Sequence, residues 1–243
     1  MTRSNPRLAS LDILRGFDLF LLVFFQPVFV AFARHKAESP IIAFFLNQFN
    51  HADWIGFTAW DLVMPLFLFM VGAAMPFSLE KYQRLPDKRI IYKKIFKRFI
   101  ILFLLGAVIQ GNLLSLSPID VRVYTNTLQA IAVGYLFSAI LLLHFSRKQQ
   151  IVATIFLLIS YWALITFLGD FTPQGNFAEK IDRAVLGRLR DGVWYESEKW
   201  HFSDHYHYTW ILTSMVFIVT TMLGVFAGQI MKYGTDQLKN SRQ

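Results

Sequence analysis

Apolar residues fall along this chain in long blocks, not in the alternating pattern of strands or the one-sided stripe of a surface helix. Spanning the hydrocarbon of a bilayer takes about 20 mostly apolar residues. Six stretches approach that length: Leu14–Ala33, Trp54–Leu79, Phe96–Leu116, Thr127–Phe145, Ile151–Leu168 and Tyr208–Met231. The third is the cleanest and the first the most interrupted. The alternation of a membrane β-barrel is absent. The pattern predicts an all-α, polytopic transmembrane bundle of about six helices, in one domain over residues 1–243. Connections are short except for 171–207, which is polar and rich in aromatic residues. Inside it Phe177, Ile181, Val185 and Leu189 recur every four positions, which predicts a short helix over Gly175–Leu189 at the interface or capping the bundle. Trp194, Tyr195, Trp200, Tyr206, Tyr208 and Trp210 suit an interfacial aromatic belt.

The first block has two readings. Arg3 and Arg7 lead an apolar run, and Ala31–Ala33 offers a small-residue cleavage pattern, as in a signal peptide. Against this, Asp12, Arg15, Asp18 and Gln26 interrupt the run, which is also too long for a signal sequence. A retained helix is the expectation.

Composition supports the membrane reading. The chain is 55% hydrophobic and 16% charged, with 25 Phe, where soluble domains carry roughly 25% charged residues. The net charge of +8 invites a nucleic-acid partner, but its distribution points elsewhere. Of the 24 Lys and Arg, 16 fall at the N-terminus, between the second and third spans, between the fourth and fifth, and after the sixth. The positive-inside rule then puts both termini in the cytoplasm and His51 at the outer face. The basic stretch Lys81–Arg98 either serves topology alone or meets anionic lipid or a phosphorylated cytosolic ligand. No nucleic acid is expected. With no Cys, disulfides, thiolate nucleophiles and thiolate metal sites are excluded.

Several polar residues interrupt the apolar blocks. In the second span Trp54, Thr58, Asp61 and Pro65 form a helical stripe, which places Asp61 about 12 Å inward of Asp53 at 1.5 Å per residue. Asp12 and Arg15, three apart, can pair on one helix face near the cytoplasmic end. Gln26, His51, Gln110, Asn112, Asn126 and Gln129 gather in the outer halves of four helices. Lipid cannot satisfy them, so they either line a polar cavity or bond one another as interhelical glue. Intramembrane carboxylates such as Asp61 are functional candidates, whether as partner of a cation or as proton site. Histidine titrates near neutrality, and the positive end of a helix just after His51 disfavours its protonated ring. That suits a general base or nucleophile, with Asn50 or Asp53 capping the helix and orienting the ring. The bland alternative is a water-wetted interfacial histidine. His201, Asp204, His205 and His207 form a second cluster. A metal shared by His201 and His205 would need a helix there, and an interfacial loop is the better fit, so no metal is expected. Phosphate-cradling glycine loops and serine nucleophile elbows are absent.

Four stretches carry a family resemblance: Ser10–Phe25, Asn50–Leu79, Val121–Leu136 and Thr220–Met231. The most specific is His-Ala-x-Trp-x-Gly followed by Asp-Leu-Val-x-Pro. Together they resemble the heparan-α-glucosaminide N-acetyltransferases, polytopic acyltransferases with bacterial members that act on amino sugars. The resemblance runs from end to end of the chain. Family members usually continue for several more helices, so the chain is expected to be the N-terminal part of a longer domain.

The resemblance implies acetyl transfer from cytoplasmic acetyl-CoA to the amine of an amino sugar or related glycan on the outer side of a bacterial inner membrane. It puts the catalytic histidine on His51, the Asp-x-x-Arg-Gly of helix one on Asp12, Arg15 and Gly16, Leu-Gln on Leu128 and Gln129, and an Asp-Arg pair on Asp182 and Arg183. Gln26 stands where an asparagine assists the histidine. Ala130 replaces an arginine after Leu-Gln, and His205–Ile211 replaces Asp-Pro-Glu-Gly. Amine acylation needs a base or acyl carrier, plus donors for the developing oxyanion. His51, with Gln26 and Asp61, is the expected catalytic set. Asn126, Gln129, Arg122 and Asp182 are expected to hold substrate, and Asp12–Arg15 to be a structural pair. The partners are the lipid bilayer, acetyl-CoA and the acceptor, and a homo-oligomer is compatible with all of this. The competing readings are a transporter-like or scaffold protein with a polar chamber, and an inactive fragment.

Overall fold

The computed structural model describes residues 9–34, 39–115, 117, 119–203 and 208–240, with backbone only for Glu80 and 234–240. Helix α1 (Ala9–Phe20) passes through a π turn (Leu21–Phe25) into α2 (Gln26–Arg34), and α3 (Pro40–Gln48) follows. A 3-10 turn (Ala59–Leu62) opens α4 (Val63–Leu79), and then come α5 (Arg89–Ile109), α6 (Thr127–His144) and α7 (Arg147–Leu168). Helix α8 (Phe177–Leu186), a hairpin of β1 (Val193–Glu196) and β2 (Lys199–Phe202), and α9 (Ser214–Asn240) complete the order. Among the described residues, five segments are long and apolar enough to cross a bilayer: Ala9–Arg34, Ala59–Leu79, Thr127–His144, Arg147–Leu168 and Ser214–Tyr233. The chain is an all-α, polytopic integral membrane protein with one small antiparallel sheet.

Two expected spans need correction. The third, Phe96–Leu116, is α5 at Arg89–Ile109. It begins earlier because nothing breaks the helix among its basic residues. It ends where Asn112 takes a positive φ of 52°. Lys93, Lys94, Lys97 and Arg98 fill its first half, so it falls short as a span by composition though not by length. The second span starts at Ala59, not Trp54. Thr58 is extended there, and it exchanges a capping box with Asp61 that fixes the helix start. The stripe from Trp54 to Pro65 therefore does not exist as one helical face.

The break in the first rod has a local cause. Pro27 has no N–H to donate back to the preceding turn, and the wide π turn ends at Phe25, two positions before it. The rod stays continuous.

Helices α4, α6 and α9 form the centre. Lipid offers no hydrophobic drive between helices, so close approach of small residues holds them. A Cβ on Gly72 would lie 1.9 Å from the Thr221 carbonyl oxygen, and one on Gly224 2.0 Å from that of Phe69. Only glycine allows α4 and α9 this contact. Ala130, Ala132 and Ala139 of α6 are fully buried beside them. The first rod and α7 are peripheral, with Val23 at 71% and Phe156 at 67% exposure turned to lipid.

The ends of these helices assemble two polar regions. The starts of α4, α6 and α9, the end of α5 and the loop before β1 meet at one end of the bundle. The end of α4, the start of α7 and the far part of α9 meet at the other.

Candidate active site

His51 lies in the loop after α3, seven positions before Thr58, so no helix N-terminus directly follows it. Its Nδ1 is 2.7 Å from Asp61 Oδ1. The other carboxylate oxygen, Oδ2, accepts from the Thr58 N–H at 2.9 Å and from the Thr58 hydroxyl at 3.1 Å. The Asp61 carboxylate thus caps α4 with one oxygen and holds the imidazole with the other. Asp61 stands at the mouth of the helix rather than deep in its body. Asn50 does not orient the ring, because its Nδ2 donates to the Leu46 carbonyl at 2.8 Å. With the proton on Nδ1 donated to Asp61, Nε2 keeps its lone pair.

His51 lines two adjoining cavities. One, of about 390 Å³, includes Asp53, Trp54, Asp61 and Tyr208. The other, of about 530 Å³, includes Gln110, Thr125, Asn126, Asp191, Tyr208 and Trp210. Both volumes fall in the range of small-molecule sites. Tyr208 belongs to both, its ring edge-on to the His51 ring with centroids 6.0 Å apart.

The other expected residues divide. Asn126 lines the larger cavity while capping α6: its Oδ1 accepts from the Leu128 and Gln129 N–H groups, and its Nδ2 donates to the Gly106 carbonyl at 2.7 Å. Gln129 is fully buried and spent on backbone, accepting from the Thr125 N–H at 2.8 Å and donating to the Phe103 and Val123 carbonyls. Gln26 donates to the Phe49 carbonyl at 3.4 Å, two residues from His51, and lines neither cavity. Asn112 donates to the Asp120 carbonyl. Arg122 gives its guanidinium to the carbonyls of Ile119, Val121 and Val193, tying the approach to α6 onto β1. Asp182 is fully buried, and its oxygens accept from the Trp210 and Ile211 N–H groups at 2.7 and 2.9 Å, which fixes the approach to α9. Arg183 bonds Glu179. Asp12 and Arg15 pair at 3.7 Å, and Arg15 also donates to the Met70 carbonyl of α4.

Two residues that sequence reasoning did not single out for chemistry complete the site. Burial pushes the Asp191 carboxyl up to about 6, against the pull of the Trp210 indole and Arg122. Burial, with the negative charges of Asp61 and Asp191, pushes Tyr208 up, so its hydroxyl stays protonated as a donor at neutral pH. Burial also raises Asp182.

At the opposite end, a cavity of about 550 Å³ is lined by Lys81, Arg84, Arg147 and Lys232 with Gln150 and Gln229. Four cations around one concavity suit a phosphate-bearing ligand. Among the described residues no group of three or more His, Asp or Glu is placed to hold a metal. His201 sits on β2 stacked on Trp194, while Asp204, His205 and His207 lie outside the described residues.

A family model described as "Heparan-alpha-glucosaminide N-acetyltransferase, catalytic" matches residues 7–174. The chain is 29% identical to the human (Homo sapiens) heparan-alpha-glucosaminide N-acetyltransferase and 28% to the mouse (Mus musculus) protein, each over 97% of this chain. It spans about 40% of the length of these curated relatives. The family match covers well over half of the chain, which therefore belongs to the heparan-alpha-glucosaminide N-acetyltransferase catalytic family.

Proposed function

We propose that the chain is a transmembrane N-acetyltransferase module that moves an acetyl group from acetyl-CoA to an amino sugar of glucosamine type. The observation that carries this reading is His51, held by Asp61 at 2.7 Å and set in the wall of a cavity large enough for a sugar. Names of the relatives support the reaction class, and the basic cavity at the far end supports a CoA-type donor, whose phosphates it suits. The excess of basic residues at that end supports a cytoplasmic donor and an outward-facing His51.

In the transfer, the amine nitrogen attacks the thioester carbonyl carbon. The C–N bond forms as the C–S bond breaks. His51 Nε2 takes the amine proton and returns it to the departing sulfur, giving CoA thiol and amide. Asp61 holds the tautomer that makes Nε2 the base. The same lone pair suits attack on the thioester if His51 carries the acetyl group first. Tyr208 and the Asn126 amide stand on the cavity wall as donors for the oxyanion. Gln26 steadies the Phe49 carbonyl and so the entry to His51. Gln129, Arg122 and Asp182 shape the acceptor cavity through the backbone they bind.

Membranes carrying the wild-type chain should acetylate glucosamine in the presence of acetyl-CoA, and His51→Ala membranes should not, at equal protein insertion. Failure of the wild type to acetylate would overturn the proposal and favour a polar chamber that passes a solute.

A further inference from the structure

The larger cavity beside His51 contains three polar groups that the transfer step leaves unused. The Thr125 hydroxyl and the Trp210 indole N–H are buried without a hydrogen-bond partner among the described residues. Both residues line the cavity. Buried donors and acceptors left unmade are costly, and native sites keep them mainly where something else completes them.

The third group is Asp191. Its charged neighbours are Arg122, Arg190, Asp182 and Tyr208. Arg122 is committed to three backbone carbonyls. Arg190 is fully buried, with Nη1 2.5 Å from Glu179 Oε1. The Trp210 indole N–H is directed at this carboxylate and pulls it back down, yet the geometry falls short of a completed hydrogen bond. A half-neutralised carboxylate therefore faces the same space as an orphaned hydroxyl and an orphaned N–H. A small molecule that is both cationic and rich in hydroxyls answers all three.

We propose that this cavity is the acceptor subsite, in which Asp191 is the counter-ion of the sugar's protonated amine and Thr125 and Trp210 take its hydroxyls. The assignment rests on the acetyltransferase reading. Asp191 becomes the residue that selects an amino sugar over a neutral one, because a charge-assisted contact is lost when the amine is absent. It also balances the protons. An ammonium must shed one proton before it can attack, and the paired carboxylate receives that proton and releases it to water. His51 receives the second as the C–N bond forms. A carboxyl pushed up to about 6 is closer to this task than an ordinary aspartate.

The test is equilibrium binding of radiolabelled glucosamine and of neutral N-acetylglucosamine to the purified full chain at pH 7.5. Wild type should prefer glucosamine. Asp191→Asn should weaken glucosamine binding about tenfold or more and change N-acetylglucosamine binding by less than about twofold, and Asp191→Glu should recover most of the loss. Equal loss of both sugars would mark Asp191 as scaffold and overturn the assignment. So would an unchanged Asp191→Asn, or a wild type that does not bind glucosamine. Acetylation from acetyl-CoA, followed on the same preparations, separates the two ideas. Charge-selective binding without transfer would sink the transferase reading and leave the Asp191 subsite standing. Transfer with the glucosamine KM unchanged in Asp191→Asn would do the reverse.

Discussion

Asp61 Oδ1 lies 2.7 Å from His51 Nδ1, and Asp61 Oδ2 caps α4 through Thr58. One carboxylate thus aligns a helix start and an imidazole together. Asp61→Asn presents an amide that can offer N–H in place of oxygen, which would turn the ring or invert its tautomer. The expected outcome is a fall in kcat of about 100-fold, with KM for both substrates nearly unchanged. The double variant with His51→Ala should be no slower than His51→Ala alone, because the two groups act as a unit. Initial rates in membranes read both results.

Gln129 and Gln110 are both amides at helix ends that meet at the same end of the bundle, and only Gln110 lines the cavity. Gln129→Ala strips a partner from the Thr125 N–H and from two carbonyls inside the bundle, at a cost of about 1–3 kcal/mol. Gln110 is exposed at the cavity wall, and Gln110→Ala should cost under about 0.5 kcal/mol of stability. Thermal unfolding of the detergent-purified variants should rank them in that order. Equal melting points would mean that the buried bonds of Gln129 contribute nothing net.

That division marks where sequence ran out. The apolar blocks were legible because each is long and its polar interruptions are few, and five of the six became spans of the expected kind. Polarity alone showed that Gln26, Gln129 and Asn112 needed partners, but not whether a backbone carbonyl or a cavity supplied them. The His51–Asp61 contact was hidden because residues 54–58 were read as the first part of a helix, whereas residues 52–58 lie outside any helix. They form an irregular loop, with Gly56 at φ 144°, that returns the chain so that residues ten apart meet. The β1–β2 hairpin was missed because its two-residue turn, Ser197–Glu198, takes positive φ at both positions without the Asn-Gly signal of such turns. Asp191 sits between Arg190 and Gly192 and reads as a solvated turn. Tyr208 read as one of many belt aromatics. Only the packing of α9 against the loop before β1 places both beside the histidine.

The contact of α4 with α9 gives a third prediction. A methyl group at Gly72 would press on the Thr221 carbonyl at 1.9 Å, and backbone on both sides leaves it no room to move. Gly72→Ala should therefore push the helices apart, at a cost of about 1–3 kcal/mol. The lowered thermal midpoint should be accompanied by reduced transfer, since the start of α4 carries Asp61 and the approach to α9 carries Tyr208. A stable Gly72→Ala protein would show that the two helices are less tightly apposed than this.

Asp191 makes stability depend on pH in a direction opposite to that of most native carboxylates. Its folded value is raised from the ordinary 3.8 to about 6. Below about pH 4 the group is protonated whether the chain is folded or not, and burial carries no charge penalty. Between about pH 4 and 6 the folded chain retains a proton that the unfolded chain has released, so stability falls as pH rises. Above about pH 6 the penalty is present in full. Asp191→Asn removes a charge and keeps the shape, so its thermal midpoint should exceed that of wild type by more at pH 7.5 than at pH 4.5. A difference that does not change between these two values would mean that the carboxylate is solvated rather than buried. Saturating glucosamine should raise the wild-type midpoint at pH 7.5 and leave that of Asp191→Asn nearly where it was, because only the wild type holds a buried charge for the ammonium to neutralise.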